Sequence, residues 1–211
     1  MSSPQNIQTN DAIAGPQHEV QRKLGRSLLQ LQQYELLLKE LIVHSEESGT
    51  IDTMAKERRK RTKETRLKTL GGLLRTASKT LIRTAPFEEL PDLDELHDKP
   101  YIRIRSALQL SPEDGARLKA DLKKLLKLRN RLVHHFLAQF NIFSVEGCHA
   151  ASIHLDESYV IVKTAYTQLI GWAESLQQLR QEAGVYIQSD SFKNALKSQL
   201  RSPTGATDDP I

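Results

Sequence analysis

The residues of this chain whose types and spacing suit chemistry best are Arg129, Asn130 and His134, in the stretch LKLRNRLVHHF. Histidine exchanges a proton near neutral pH, and arginine donates a planar fork of hydrogen bonds to an anion. Residues four apart on a helix are neighbours, so Asn130 and His134 are expected on one flank, beside Arg129. The stretch is therefore a candidate for proton transfer next to a bound anion.

The helix that carries these residues is predicted to be apolar on one side, with Arg129 at the centre of its apolar arc. Desolvating an unpaired charge costs several kcal/mol, so Arg129 needs either a polar cavity or an anionic partner. Two interpretations follow: a pocket shared with Asn130 and His134, or an ion pair with an acidic residue such as Glu35 or Glu40. The arc consists of Leu118, Leu122, Leu125, Leu132, Phe136 and Phe140, widened by Leu126, Val133 and Leu137.

A second pair four residues apart, Arg131 and His135, falls on the opposite flank with Lys124 and Lys127. We assign this pair to no site. Cys148, His149 and His154 lie close in sequence but lack the spacing of a zinc site, so they are interpreted as loop residues. We predict neither a bound metal nor a cofactor.

Four main helices are predicted to position the stretch, in an all-α antiparallel bundle. Helix one starts after Pro16 and ends near Gly49, and helix two covers residues 52–86 with a kink at Gly71-Gly72. Helix three starts at Ser111-Pro112 and ends near Phe140, and helix four runs from about Tyr159 to Gly184. Residues 101–105 are expected to be unpaired extended chain, residues 141–156 a loop, and residues 190–200 a short helix.

The predicted organisation is one helical domain over residues 17–201, with a connector insertion at 85–110 and flexible tails at 1–16 and 202–211. The 211 residues carry a net charge of +4, which favours anionic partners without establishing one. A single cysteine excludes an intrachain disulfide and favours a reducing compartment, so a cytoplasmic protein is expected. No segment is apolar enough to suggest a membrane partner.

The stretch resembles the R-x(4–6)-H motif of the HEPN superfamily, with Arg129, four intervening residues and His134. Asn130 supplies the polar residue usual after the arginine. The resemblance covers about a dozen residues, and TLGGLL at residues 69–74 is similar to a stretch that precedes the active helix in some members. Phe136 stands where some HEPN toxins have a tyrosine that is nucleotidylated, so that mode of control is not expected.

The resemblance implies a metal-independent endoribonuclease, with one motif from each protomer facing the other across a homodimer. His134 would act as acid or base, Arg129 would hold the phosphate oxygens, and Asn130 would orient the phosphate. Many relatives are toxins or stress- or phage-defence effectors, so an antitoxin or regulatory protein is a possible further partner. The alternatives are a non-catalytic HEPN-like module that binds RNA, a nucleotide or a protein, and a structural adaptor.

A dense run of cations lies in residues 56–68. A solvated helix end is the ordinary interpretation of such a run. In a protein that cleaves RNA, the run also suits contact with backbone phosphates. The candidates for that role are Arg58, Arg59, Lys60, Arg61, Lys63 and Arg66.

Overall fold

The computed structural model describes residues 5–50, 52–85 and 101–194. The described chain is mostly helical, as its composition predicts. None of its helices is long and apolar enough to cross a membrane. The helices are α1 (Gln5–His44), α2 (Met54–Arg66), α3 (Leu70–Thr80), α4 (Pro112–Asn130), α5 (Phe136–Gln139) and α6 (Val145–Gln188).

Two short strand pairings accompany the helices. Strand β1 (Glu46–Thr50) pairs antiparallel with β3 (Tyr101–Arg105), and β2 (Ile82–Arg83) pairs parallel with β4 (Leu108–Gln109). The prediction that residues 101–105 are unpaired extended chain is therefore wrong. So is the expected end of helix one near Gly49, because α1 ends at His44. Gly49 has a φ of +142° and belongs to the strand.

Opposite charges help to set the register of β1 against β3. Glu46 lies opposite Arg105 in the ladder, and its carboxylate accepts from Nε of Arg103 at 2.7 Å. Cross-strand pairs of opposite charge stabilise a sheet by a few tenths of a kcal/mol up to about 1 kcal/mol. The partners lie 57 positions apart in the chain, so a local reading of the sequence could not connect them.

The predicted second helix is two helices, separated at residues 67–69 rather than kinked at the glycine pair. Thr69 caps α3 by accepting a hydrogen bond from the N–H of Gly72. Gly71 lies in the first turn of α3, where a Cβ would be 3.6 Å from the side chain of Leu126. A side chain as small as alanine would therefore make only ordinary contact there, and the packing of α3 on α4 does not require the glycine.

Helix α4 begins as predicted, because the Ser111 hydroxyl accepts from the N–H of Asp114 at 3.0 Å. The loop expected at residues 141–156 is mostly wrong. Helix α6 begins at Val145, after Ser144 Oγ accepts from the N–H of Gly147. It also continues past Gly184 to Gln188, so the predicted stop at Gly184 is wrong. Residues 190–194 are helical, and the rest of the short helix predicted there lies outside the described residues.

The chain divides into two compact units, residues 1–172 and 173–211. The single domain predicted over residues 17–201 stays a prediction. Helix α1 begins at Gln5, within the segment expected to be a tail. Residues 86–100 of the predicted connector and the tail at 202–211 lie outside the described residues. The first unit holds the candidate site, and its most deeply buried side chains include Leu31, Tyr34, Leu38, Leu70, Leu73, Leu125, Leu132, Leu155 and Val162.

Candidate functional site

A π-helical turn, Arg131–His135, separates α4 from α5 and carries the candidate histidine. Residues four apart drift by about 40° per step in a regular α-helix. The wider π turn keeps Leu128, Leu132 and Phe136 on the buried side, with exposures of 7%, 2% and 4%. Such turns interrupt α-helices frequently at functional sites. The core therefore stabilises the turn that presents His134.

The π turn brings Arg129 and His134 into contact. In a regular α-helix, residues five apart point about 140° away from each other. Here Nη1 of Arg129 lies 3.2 Å from Nε2 of His134 and 3.3 Å from Oδ1 of Asn130. The structure thus brings all three sequence-predicted site residues together around one guanidinium group. His134 and Asn130 are exposed, so solvent and a ligand can reach them.

The contact with Arg129 fits one tautomer of His134. A guanidinium group has only donors, so the nitrogen that faces it must be an acceptor. Nε2 therefore carries the lone pair when the Arg129 contact forms, and the ring proton lies on Nδ1. Nε2 has one lone pair, so it can accept a proton as a base only when the contact with Arg129 opens.

Glu35 on α1 is the acidic partner of Arg129. Its Oε1 lies 3.7 Å from Nε of Arg129, and the two side chains are 21% and 27% exposed. The ion pair foreseen as an alternative therefore exists, but it is only partly buried. Glu40, the other candidate, lies 3.7 Å from Nε2 of His44 instead. Nε of Arg129 thus faces Glu35, and Nη1 of the same guanidinium group lies beside His134.

Two predicted members of the apolar arc face solvent. Val133 and Leu137 are 45% and 68% exposed, whereas Leu128 is buried in their place. The prediction failed here because it assumed a regular α-helix through the π turn. The exposed pair lies on either side of His134 in sequence, so apolar surface borders the candidate site.

The opposite flank of the helix carries a second, basic surface groove that is open to solvent and formed by residues 127–139 alone, called the basic cleft below. Lys127, Arg131 and His135 line it together with Asn130, Ala138 and Gln139, around a volume of about 550 Å³. The ring centroids of His134 and His135 are 6.3 Å apart, with the ring planes at 69°. His135 lines this side of the helix and His134 does not, although their rings are neighbours. Asn130 borders both flanks.

The cations of α2 fall into two groups. Glu47 on β1 holds Arg58 at 2.8 Å and Arg61 at 3.3 Å, so these two arginines stabilise the contact between α2 and β1. Arg59, Lys63 and Arg66 instead line a shallow groove with Thr62 and Leu67, and Lys60 is exposed. Arg61 is therefore the least accessible member of the predicted RNA-binding set, and Arg58, although paired, keeps half of its side chain exposed.

The histidine and cysteine residues near the start of α6 are helical rather than in a loop. Cys148 is buried, with Sγ 3.2 Å from the carbonyl oxygen of Ile142, and His149 is exposed. Desolvation lowers the pKa of His154, and the charge of Arg131 lowers it further against the opposing effect of Glu157. No group of three metal-ligating side chains occurs within residues 5–50, 52–85 and 101–194.

An apolar cavity that the sequence did not indicate lies between α1, α4 and α6. It has a volume of about 450 Å³ and is lined mainly by leucines of α4, by Tyr34 and by Val160, Ile161 and Trp172. Burial raises the pKa of Tyr34. Arg129, Asn130 and His134 do not line this cavity. Asp121 and Lys124, which also line the cavity, are exposed and pair with each other at 3.0 Å.

Comparison with known proteins adds no family assignment. No family model, no curated protein and no solved structure matches this chain.

Proposed function

We propose that this chain is a metal-independent endoribonuclease of the HEPN type, built as an antiparallel bundle of about four main helices. The single observation that carries the proposal is the contact of Arg129 with His134 across the π turn, at 3.2 Å, on an exposed surface. An anion-binding group and a proton-transfer group are adjacent there. Asn130 completes the cluster through its hydrogen bond with Arg129.

The reaction uses the 2′-hydroxyl of RNA as the nucleophile. A histidine takes the proton of this hydroxyl, the 2′-oxygen forms a bond to the adjacent phosphorus, and the bond from phosphorus to the 5′-oxygen breaks. An acid then protonates the leaving 5′-oxygen. Arg129 stabilises the charge that develops on the non-bridging oxygens. The products are a 2′,3′-cyclic phosphate and a 5′-hydroxyl.

One chain contributes one His134, whereas the reaction needs a base and an acid. The proposal therefore includes a homodimer in which two copies of the cluster form a composite site. Exposed Val133 and Leu137 beside the histidine supply apolar surface for such an interface. A role in the cytoplasm as a toxin or as a stress- or phage-defence effector, controlled by an antitoxin or regulatory protein, belongs to the same proposal.

A second candidate is a non-catalytic module that binds RNA, a nucleotide or a protein partner through the same surface. The contact of Arg129 with Glu35 favours it, because a paired arginine is less available to a transition state. The experiment that separates the two is incubation of the purified chain with total RNA in EDTA. We expect fragments ending in 2′,3′-cyclic phosphate and no cleavage of DNA, which lacks the 2′-hydroxyl. Strict dependence on magnesium would contradict this chemistry.

A further inference from the structure

The proposed reaction assigns no role to the basic cleft formed by Lys127, Arg131 and His135. Lys127 and Arg131 are four residues apart, so their Cβ atoms lie about 5–6 Å from each other on the same side of the helix. Both side chains are exposed. No carboxylate lies within ion-pair distance of either one in the described parts of the chain.

Other cations differ in this respect: Lys119 and Lys123 on α4 also have no carboxylate within ion-pair distance in the described parts of the chain, whereas some others are paired. Lys124, one turn before, is held by Asp121 at 3.0 Å, and Arg58 and Arg61 on α2 are held by Glu47. The charge of Arg131 also reaches a neighbouring helix, where it contributes to the lowered pKa of His154. Lys127 and Arg131 thus maintain a positive field next to the candidate site.

Asn130 connects this field to the candidate site. Its Oδ1 accepts from Nη1 of Arg129 at 3.3 Å, and its side chain also lines the basic cleft. A strand bound at Arg129 and His134 would pass Asn130 to reach Lys127 and Arg131. The cleft offers cations and amides, with His135 as its one aromatic ring, so it suits phosphates better than stacked bases.

We propose that Lys127 and Arg131 form a subsite for an RNA backbone phosphate next to the scissile one. This assignment rests on the proposed function of Arg129 and His134. The subsite holds the strand in register without reading its bases, and it takes no part in proton transfer. Lys127 and Arg131 are therefore positioning residues for the strand rather than catalytic residues.

The test is binding of a short 2′-O-methyl RNA strand, which cannot be cleaved, to the full chain at several salt concentrations. Each phosphate contact to a single strand contributes about 0.7 to the slope of log affinity against log salt. The double variant Lys127→Gln/Arg131→Gln should lower that slope by about 1.4 and weaken binding about tenfold near physiological salt. Lys127→Arg/Arg131→Lys keeps both charges and should keep the slope.

A matched control is available on α3. Arg75 and Lys79 are also one arginine and one lysine, four apart and exposed. Arg75→Gln/Lys79→Gln should bind with the affinity and slope of the unmodified chain. If both double variants lose affinity and salt slope equally, the effect comes from net charge alone, and the subsite assignment is wrong. Unchanged binding by Lys127→Gln/Arg131→Gln would overturn it as well.

The outcomes separate this inference from the proposed function. If the chain binds the strand through Lys127 and Arg131 but cleaves no RNA, the two cations contact RNA, but the ribonuclease proposal fails and with it the place of the subsite next to a scissile phosphate. If RNA is cleaved and the double variant is indistinguishable from the unmodified chain, only the subsite fails. Equal binding of a polyglutamate peptide, with the same loss in the variant, would show a general polyanion site and overturn the assignment to RNA.

Discussion

Glu35 and Arg129 face each other across α1 and the end of α4, with 3.7 Å between Oε1 and Nε. The distance is long for an ion pair, and each side chain keeps more than a fifth of its surface exposed. Partly exposed pairs of this kind contribute about 0–1 kcal/mol to the free energy of unfolding. Glu35 therefore orients the guanidinium group more than it stabilises the fold.

The first prediction is that Arg129→Ala leaves the fold nearly as stable as before. A loss of at most about 1 kcal/mol corresponds to a fall of about 2–4 °C in Tm for a chain of this size. Arg22→Ala, which removes an exposed pair with Glu19, is the comparison. Breaking a buried pair costs about 3–5 kcal/mol, which corresponds to about 10 °C. A fall of that size by calorimetry would assign Arg129 a structural role.

The sequence predicted the start of the helix that carries the candidate site but not the interruption of that helix. Ser111, Pro112 and Asp114 form a local signal whose cap the structure confirms. The π turn has no such local signal. The sequence-based prediction therefore used regular α-helical steps, which place His134 on a flank with Asn130. The π turn is stabilised by burial of Leu132 and Phe136 against other elements. The contact between Arg129 and His134 thus depends on tertiary packing.

The sequence also failed to predict the pairing of β1 with β3, because the paired residues lie far apart in the chain. Arg103 and Glu46 pair across β1 and β3, and nothing near either residue indicates the other. Glu47, which follows Glu46 on β1, forms ion pairs with Arg58 and Arg61, two members of the predicted RNA-binding set. Residue types predicted the basic surface, while the position of Glu47 decided which of its cations form ion pairs.

The second prediction concerns this division of the cations on α2. Arg59→Gln/Lys63→Gln/Arg66→Gln should lower the salt slope of binding to a 2′-O-methyl RNA strand by about 2, since three contacts contribute about 0.7 each. Arg58→Gln/Arg61→Gln should change RNA binding little and lower Tm more, because it leaves Glu47, 16% exposed, without these partners. The reverse order of effects would show that the groove does not contact RNA.

The third prediction is a homodimer through the apolar surface beside His134. Light scattering should give about twice the chain mass of 23.9 kDa. Val133→Asp/Leu137→Asp should yield monomers and abolish cleavage, because a charge at an apolar interface must be desolvated. Val185→Asp, at a 73% exposed position in the second unit, serves as the control and should keep the dimer. Cleavage by a strict monomer would contradict the composite site.

The fourth prediction is a contribution of His154 to the loss of stability in acid. Burial and Arg131 lower the pKa of His154 in the folded chain, so folding favours its neutral form. That contribution is present above the unfolded pKa of about 6.5 and is lost as the pH falls through the lowered folded value. When the pH is lowered from about 7.5 to about 5.5, the Tm of His154→Asn should therefore fall less than the Tm of the unmodified chain. His149→Asn, an exposed histidine on the same helix, should follow the unmodified chain.

The most direct measurement for the proposed site is the rate of RNA cleavage in EDTA by single alanine variants of the two neighbouring histidines. His134 contacts Arg129, whereas His135 lines the basic cleft on the other flank. His134→Ala should slow cleavage by about a hundredfold or more, since it removes an acid or base. His135→Ala should change the rate far less. Normal cleavage by His134→Ala, with the dimer and Tm unchanged, would contradict the active-site assignment.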